Sequence, residues 1–96
     1  MHYYLYILHT PEHQKFYIGQ TNDLERRLDE HNFSSENSFT SKFRPWVLMT
    51  SISFNNRAQA MAAEKYLKKK PRDFIRKVIN DHSLRQYIIE KYESIE

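Results

Sequence analysis

Arg27 and His31 form the first pair of residues in the chain that could act together on a phosphate or a proton. A guanidinium group is a permanent cation, and an imidazole can gain or lose a proton near neutral pH. Both residues fall in the stretch DLERRLDEH, whose leucines have helical spacing. At 100° per residue they flank the stripe of Leu24 and Leu28, whereas Arg26 points away. Polar groups at this border between core and solvent are held in place, so we expect part of a site on this face.

A glutamate on the next helical segment is the second candidate. Glu64 has small or apolar neighbours one turn away, among them Ala60 and Leu67. A carboxylate on such a surface is either half-buried and functional, or an ordinary surface partner of Lys68 four residues later. The helix angle alone leaves both interpretations open.

Basic residues are concentrated in the segment KYLKKKPRDFIRK, which holds seven of the fifteen lysines and arginines between Lys65 and Lys77. The formal net charge of the chain is only +3, so the clustering says more than the total. A basic cluster can hold phosphate groups by charge and by counterion release. Taken alone, such a run is more typical of a solvated helix face.

Gly19 is the only glycine in the chain and interrupts the strand-like stretch FYIGQ. A residue without a side chain weakens a strand, so its presence indicates that something approaches the backbone closely. The candidates are a phosphate group or a neighbouring strand at the rim of the sheet. The alternative is a β-bulge or a tight strand end.

The sequence predicts that a β-hairpin and the helix after it carry several of these residues. Residues 3–8 and 16–20 are aromatic and β-branched, and they predict two strands joined by a turn of five to seven residues. The period then changes, and a helix is predicted over residues 23–31. Thr21 or Asn22 is predicted to cap its first turn.

The rest of the chain supplies a third strand and three more helices. A polar, serine-rich surface loop is predicted over residues 32–44, followed by a strand over residues 45–54. Helices are predicted over residues 57–69, 71–80 and about 83–95. The order ββαβααα predicts an α+β fold, with a small, mostly antiparallel three-stranded sheet flanked by helices.

Composition limits the class of protein. The 96 residues are enough for a single compact domain, and 40% hydrophobic with 15% aromatic residues favours a folded globule over disorder. There is no cysteine, which excludes disulfides and zinc-thiolate sites and fits a reducing cytoplasmic environment. The start MHYYLYILHT lacks the features of a signal peptide, and no later segment approaches a membrane span. We therefore expect a cytoplasmic protein without membrane contact.

Several short motifs, in a fixed order, resemble the GIY-YIG nuclease superfamily. The resemblance is closest to small stand-alone proteins similar to the N-terminal nuclease domain of the excinuclease subunit UvrC. It covers about residues 4–79 of a single domain, and the C-terminal amphipathic helix follows. The matching stretches are LYI at residues 5–7, YIGQTNDLERRLDEHN at residues 17–32, Thr40, PW.L at residues 45–48 and A..AEKYLKK at residues 60–69.

The resemblance implies an endonuclease that hydrolyses phosphodiester bonds with one divalent ion, Mg²⁺ or Mn²⁺. Tyr17 would be the general base or activate the attacking water, and Tyr6 would position that water or support Tyr17. Arg27 would neutralise charge at the phosphorus, and Glu64 would be the only protein ligand of the metal. His31 matches a family position that is often histidine. Leu5 stands where the first tripeptide of the family has glycine, as a hydrophobic residue does in many small relatives.

The resemblance also implies a nucleic acid partner, with DNA favoured over RNA, and structured or damaged DNA in repair or recombination as the substrate. No zinc finger, helix-hairpin-helix or repeat is present, so specificity must come from the surface loop, the basic segment or a protein partner. The residues predicted to bind nucleic acid are Gly19, Lys42, Arg44, Lys68, Lys69 and Lys70.

The candidate residues also have simpler, purely structural interpretations. The strand tyrosines could be core aromatics with satisfied hydroxyls, and His31 could cap the C-terminus of its helix. Trp46 is a core anchor or a platform for base stacking, and the core role is favoured. At the level of the whole chain, the alternatives are a non-catalytic nucleic-acid-binding module and a small interaction protein that docks through its C-terminal helix.

Overall fold

The sheet has three antiparallel strands in the order β2-β1-β3, in a computed structural model that describes residues 2–35 and 38–96. The strands are β1 (Tyr3–Thr10), β2 (Lys15–Thr21) and β3 (Val47–Phe54). Positions 36 and 37 of the predicted surface loop lie outside the described residues.

Four α-helices flank the sheet, and the observed order is ββαβααα, as predicted. The surface loop also contains one turn of 3₁₀-helix at Thr40–Lys42. Among the described residues, no helix is both long and apolar enough to span a membrane. The helices are α1 (Leu24–Phe33), α2 (Arg57–Lys68), α3 (Arg72–Asn80) and α4 (His82–Tyr92).

The central strand β1 is buried on both faces, which explains its nearly continuous apolar sequence. Leu5 and Ile7 point to a large core shared with α2, α3 and α4. Tyr6 and Leu8 point to a smaller core on the opposite face, where α1 packs with Trp46. Alternate residues of a strand face opposite sides of a sheet, so one strand serves both cores. The smaller core carries most of the predicted site.

The hairpin turn is tighter than predicted. Only four residues, 11–14, separate the strands, because the ladder continues through the pairs of His9 with Phe16 and Thr10 with Lys15. Gln14 closes the turn at φ 52°, in the left-handed region. Its backbone N–H donates to the Thr10 carbonyl at 2.8 Å.

Helix α1 begins at Leu24, one residue after its predicted start, and its N-cap is neither of the two predicted residues. Asp23, not Thr21 or Asn22, is the N-cap, and its carboxylate accepts a hydrogen bond from the Arg26 backbone N–H at 3.1 Å. Thr21 still takes part, because its Oγ1 accepts from the Asp23 N–H at 3.1 Å. The helix runs to Phe33, two residues beyond the predicted end.

The C-terminal helix α4 packs onto the domain itself. Ile88 is fully buried in the large core, and Leu84, Ile89 and Tyr92 pack against it. The Gln59 amide donates to the carbonyls of Glu93 and Ile95, which ties the last residues to α2. The apolar face of α4 is therefore used inside the domain.

Gly19 makes room for an aromatic side chain. It is paired with Tyr6 across β1 and β2, in a ladder without a register shift. A Cβ at position 19 would lie 2.5 Å from the Tyr6 hydroxyl oxygen and 2.7 Å from its Cζ. The space beside Gly19 is therefore occupied by a side chain of the neighbouring strand β1, rather than by a bulge. The one irregularity in the sheet lies elsewhere, between β1 and β3 next to Ile7.

Replacing Gly19 by alanine should destabilise the domain by about 1–3 kcal/mol, because the new methyl group overlaps the buried Tyr6 ring. Without the overlap, the change from glycine to alanine would restrict the unfolded chain and stabilise the domain by less than about 1 kcal/mol. The overlap is therefore the reason that we expect a net destabilisation. Urea unfolding of Gly19→Ala and the parent measures the difference. In a Tyr6→Leu background, which lacks the phenol, the cost should largely vanish. A Gly19→Ala protein as stable as the parent would show that Tyr6 moves aside freely.

Candidate active site

Two tyrosines meet on the α1 side of the sheet. Tyr6 lies opposite Gly19, and Tyr17 precedes Gly19 by two residues, so both side chains project from the same face. Their ring centroids are 6.3 Å apart. Tyr6 is only 2% exposed, whereas Tyr17 is half-buried and lines a cleft. The outer tyrosine can meet a ligand and the inner one can support it.

Helix α1 adds an arginine and a histidine to the tyrosines, as its helical angle predicted. Leu24 and Leu28 pack the helix against the smaller core. This places the His31 ring 4.7 Å from the Tyr17 ring, with its Nε2 2.9 Å from the Tyr6 hydroxyl. Arg27, one turn earlier, lines the same cleft.

Arg27 is held by two neighbours. Its Nη1 donates to a carboxylate oxygen of Glu30 at 2.9 Å, and its guanidinium also interacts with the Tyr6 hydroxyl. Burial alone would lower the pKa of Arg27, but the bonds to Glu30 and Tyr6 outweigh it and raise the pKa. Arg26, by contrast, lines a cavity on the outer face of α1 with Asp23, Glu25 and other carboxylates, one of which, Glu30, also lines the cleft. That acidic cavity would repel phosphate.

Burial determines the protonation states of Tyr6 and His31. Desolvation, with a contribution from the Tyr17 phenol, raises the pKa of Tyr6 to about 12, so Tyr6 stays protonated. Desolvation and the nearby charge of Arg27 lower the pKa of His31 to about 4, so His31 is neutral at pH 7. The neutral ring can accept the Tyr6 O–H through Nε2, while the Tyr6 oxygen faces Arg27. A histidine that merely capped the helix dipole would have a raised pKa instead.

The segment after α1 closes the cleft and is anchored at both ends. Trp46 is buried in the smaller core, as favoured from the sequence, and its indole N–H donates to the Thr40 carbonyl at 2.8 Å. The Asn32 side chain bonds both the N–H and the carbonyl of Trp46. Arg44 donates to the carbonyls of His31 and Ser34. The Arg44 guanidinium therefore holds the loop against α1, whereas the sequence predicted that Arg44 binds nucleic acid.

These groups surround a cleft of about 310 Å³. Arg27 supplies a cation and Tyr17 a hydroxyl, and both face the same space. The Tyr6–His31 hydrogen bond lies directly behind them. The residues that line the cleft are Tyr17, Arg27, Glu30, His31, Ser34, Ser38, Phe39 and Thr40.

Glu64 is partly buried and pairs with Lys68. Its side chain is 22% exposed, and one carboxylate oxygen lies 3.3 Å from Lys68 Nζ. Glu64 is not among the residues that line the cleft, and its charge is the smallest of the causes that act on the pKa of Tyr6, which it raises. A pair with a half-exposed lysine is weak and exchangeable.

Comparison with known proteins identifies the family. Residues 2–80 match the model of the GIY-YIG catalytic domain. The chain belongs to the GIY-YIG catalytic domain family. This is a family of nuclease domains, whose substrates are nucleic acids.

Small proteins of the UPF0213 group are similar to this GIY-YIG domain. The UPF0213 protein SAG0778 of Streptococcus agalactiae is 34% identical over 83 residues, which cover 86% of this chain and 93% of that protein. The UPF0213 protein YsiG of Lactococcus lactis is 37% identical over 68 residues. That match covers 71% of this chain and 64% of YsiG, which is less than two thirds of its length.

A solved structure shares the fold. The solution NMR structure of the UPF0213 protein BH0048 from Bacillus halodurans superposes with a TM-score of 0.53 at 26% identity. The match covers 83% of this chain and 84% of that one.

The basic residues predicted to bind nucleic acid occupy different parts of the surface of this GIY-YIG domain. Lys68 and Lys70 line a second cavity, of about 510 Å³, that also includes Tyr17. Lys69 lines a different cavity beside Tyr66 and Tyr92, and Lys70 lines that cavity as well. Lys42 is exposed at the end of the 3₁₀ turn. We call the second cavity the basic groove; it is lined by Lys15, Phe16, Tyr17, Ile18, Phe39, Leu67, Lys68, Lys70, Arg72 and Ile75.

Sequence reasoning did not single out four residues that line the cleft, which are Glu30, Ser34, Ser38 and Phe39. Glu30 lies three residues after Arg27, a spacing that predicts an ion pair on a helix, and could have been found. Phe39 lines both cavities, but it lies in a polar loop without periodicity, and no local signal marks it.

Acid should weaken the domain through His31. Its pKa is about 4 in the folded protein and near 6.5 when unfolded, so the unfolded state binds more protons between these values. The contribution of neutral His31 is complete above about pH 6.5 and is lost as the pH falls toward 4. Between pH 7 and 5 the loss is about 2 kcal/mol by this linkage. Urea unfolding across this range measures it, and a His31→Gln variant should show a shallower pH slope; identical slopes would contradict the assignment.

Proposed function

We propose that this GIY-YIG domain is a divalent-metal-dependent endonuclease that hydrolyses phosphodiester bonds in DNA. The observation that carries the proposal is the convergence of Tyr17 and Arg27 on one cleft, with the Tyr6–His31 hydrogen bond behind them. Hydrolysis of a phosphodiester needs a positioned water, a group to handle its proton and positive charge at the phosphorus. In this proposal Tyr17 meets the first two needs and Arg27 meets the third.

The two tyrosines have different tasks in this proposal. Tyr17 faces the cleft, where it orients the attacking water or accepts its proton. Tyr6 is buried, its pKa is raised to about 12, and its hydroxyl is bound to His31. It is therefore unsuited as a base and serves to fix the positions of Arg27 and Tyr17. His31 keeps Tyr6 oriented and stays uncharged beside Arg27.

Arg27 is the group that neutralises charge at the phosphate. Its planar guanidinium can bond two phosphate oxygens at once, which lysine cannot do. The ion pair with Glu30 holds one edge of the guanidinium at the rim of the cleft. This limits the side-chain entropy that phosphate binding costs.

In this proposal Glu64 is the protein ligand of Mg²⁺ or Mn²⁺. No cluster of three or more potential metal ligands is found in residues 2–35 and 38–96, so the proposed site would rest on this single carboxylate. Mg²⁺ accepts such a site, because it retains several waters and takes substrate oxygens as further ligands. The half-buried carboxylate has only the exchangeable pair with Lys68 to give up. When bound, the ion would supply positive charge at the phosphate and lower the pKa of water.

Structured or damaged DNA, as met in repair or recombination, is our proposed substrate within this class. The direct test is cleavage of a panel of branched, nicked and single-stranded DNAs and RNAs with Mg²⁺ or Mn²⁺. Binding without cleavage of any of them would instead make the domain a nucleic-acid-binding module. Docking through α4 has less support, because its apolar face is packed in the large core.

Arg27→Ala should lower single-turnover cleavage about a hundredfold or more, because it removes the cation that stabilises the transition state. Arg26→Ala is the matched control. It removes the same charge from the next residue, but its side chain lies among carboxylates on the outer face of α1, so the rate should stay nearly unchanged. Equal losses in both variants would show that Arg27 acts only through the overall charge.

Glu64→Ala and Tyr17→Phe should each abolish cleavage while binding survives. The Tyr17→Phe ring keeps its packing, and loss of the Glu64 carboxylate reduces repulsion of phosphate. Excess Mn²⁺ should partly rescue Glu64→Gln through weaker coordination but should not rescue Tyr17→Phe. Single-turnover cleavage of labelled duplex and flap DNA, fluorescence anisotropy and melting temperatures give the three readouts. Folded variants that cleave at the parent rate would refute the assigned site.

A further inference from the structure

The cleft that contains Arg27 and the basic groove share two aromatic side chains in their linings. Tyr17 and Phe39 line both cavities. One cavity contains Arg27 and the other contains basic side chains of β2, α2, α3 and the turn between the two helices, so a ligand could pass from one cavity to the other across Phe39. An extended ligand is therefore a better match to this surface than a compact one.

Four cations line the basic groove: Lys15, Lys68, Lys70 and Arg72. No carboxylate lines it, and among the described residues only Lys68 of the four has an acidic partner. The other three cations contact uncharged groups. Lys15 and Lys70 lie over the rings of Phe43 and Tyr66, and Arg72 donates to the Gln14 carbonyl. Their charge remains available to a polyanion.

Between these cations the groove is apolar. Leu67 and Ile75 are buried at its base, and Phe16 lies beneath Arg72. Phe39 is 52% exposed, a high value for a phenylalanine whose ring is held 5.0 Å from that of Phe43. A cationic rim with an exposed aromatic surface matches a ligand that has both phosphates and flat apolar faces.

We propose that the basic groove binds an unpaired nucleic-acid strand next to the cleaved phosphate, with a base stacked on Phe39. This inference rests on the proposed endonuclease function and specifies its substrate. Paired bases present only their edges in the grooves of a duplex, whereas an unpaired base offers its whole face for stacking. Phosphate contacts alone would hold duplex and single strand without using Phe39. The exposed ring is thus the feature that selects a strand with free bases.

The experiment measures binding in EDTA, where cleavage plays no part. Fluorescence anisotropy compares a labelled single-stranded DNA of about 12 nucleotides with the duplex of the same length. Phe39→Ala should weaken single-strand binding about tenfold, as loss of one base–aromatic stack does, and should leave duplex binding nearly unchanged. Phe39→Trp should retain the preference. Phe39→Leu, which keeps apolar packing without a ring face, should behave like Phe39→Ala.

Two matched controls come from the same chain. Phe33→Ala removes another exposed phenylalanine, 79% exposed at the end of α1 and outside both cavities, and should change neither affinity. Lys70→Gln should lower the salt dependence of single-strand binding by about one phosphate contact. Lys69→Gln, which removes the adjacent charge outside the groove, should have a smaller effect.

The outcomes separate this inference from the function on which it rests. A parent protein that cleaves DNA, but whose Phe39→Ala and Phe39→Leu variants bind both DNAs like the parent, overturns the groove proposal alone. Equal loss of single-strand and duplex binding in these variants also overturns it, since stacking would then not be the cause. The expected binding pattern in a protein that cleaves no substrate supports the groove and overturns the endonuclease.

Discussion

The site depends on one buried hydroxyl group. Tyr6 occupies the centre of the sheet, and its oxygen meets His31 on α1, the guanidinium of Arg27 and the backbone at Gly19. A buried polar group without a partner is costly, so the hydroxyl fixes where α1 can lie on the sheet. The glycine leaves room for the Tyr6 ring, which a Cβ at position 19 would overlap. The positions of the cleft residues follow from that arrangement.

Charge is divided between the two sides of α1. Its outer face carries most of the carboxylates, whereas Arg27 faces the cleft and the basic groove continues from there. Each charged group central to the proposed chemistry also has a partner on its own helix, Glu30 for Arg27 and Lys68 for Glu64. Such short-range pairs keep the side chains in place while remaining weak enough to exchange for a ligand.

Periodicity alone predicted the element order and the face of α1 that carries Arg27 and His31, because these depend on local spacing. Local rules were less decisive where several residues could serve one purpose: the run Thr21, Asn22 and Asp23 contains three good cap residues, and only the structure selects Asp23. The neighbour of Gly19 needed the strand register, which the sequence does not specify. Lys69 lies outside the basic groove although its neighbours Lys68 and Lys70 line it, because α2 ends at Lys68 and the helical angle no longer applies.

The strand order has a consequence for how the domain assembles. β1 and β2 are joined by four residues, whereas β1 meets β3 only after the intervening chain from Pro11 to Trp46 has been traversed. Closing a short loop loses less chain entropy than closing a long one, so the hairpin can form early and β3 late. The segment enclosed by the late pairing contains α1, Phe39 and Trp46. Trp46 directly precedes β3 and is buried in the smaller core with Tyr6 and Leu8, so that core is complete only once β3 has docked.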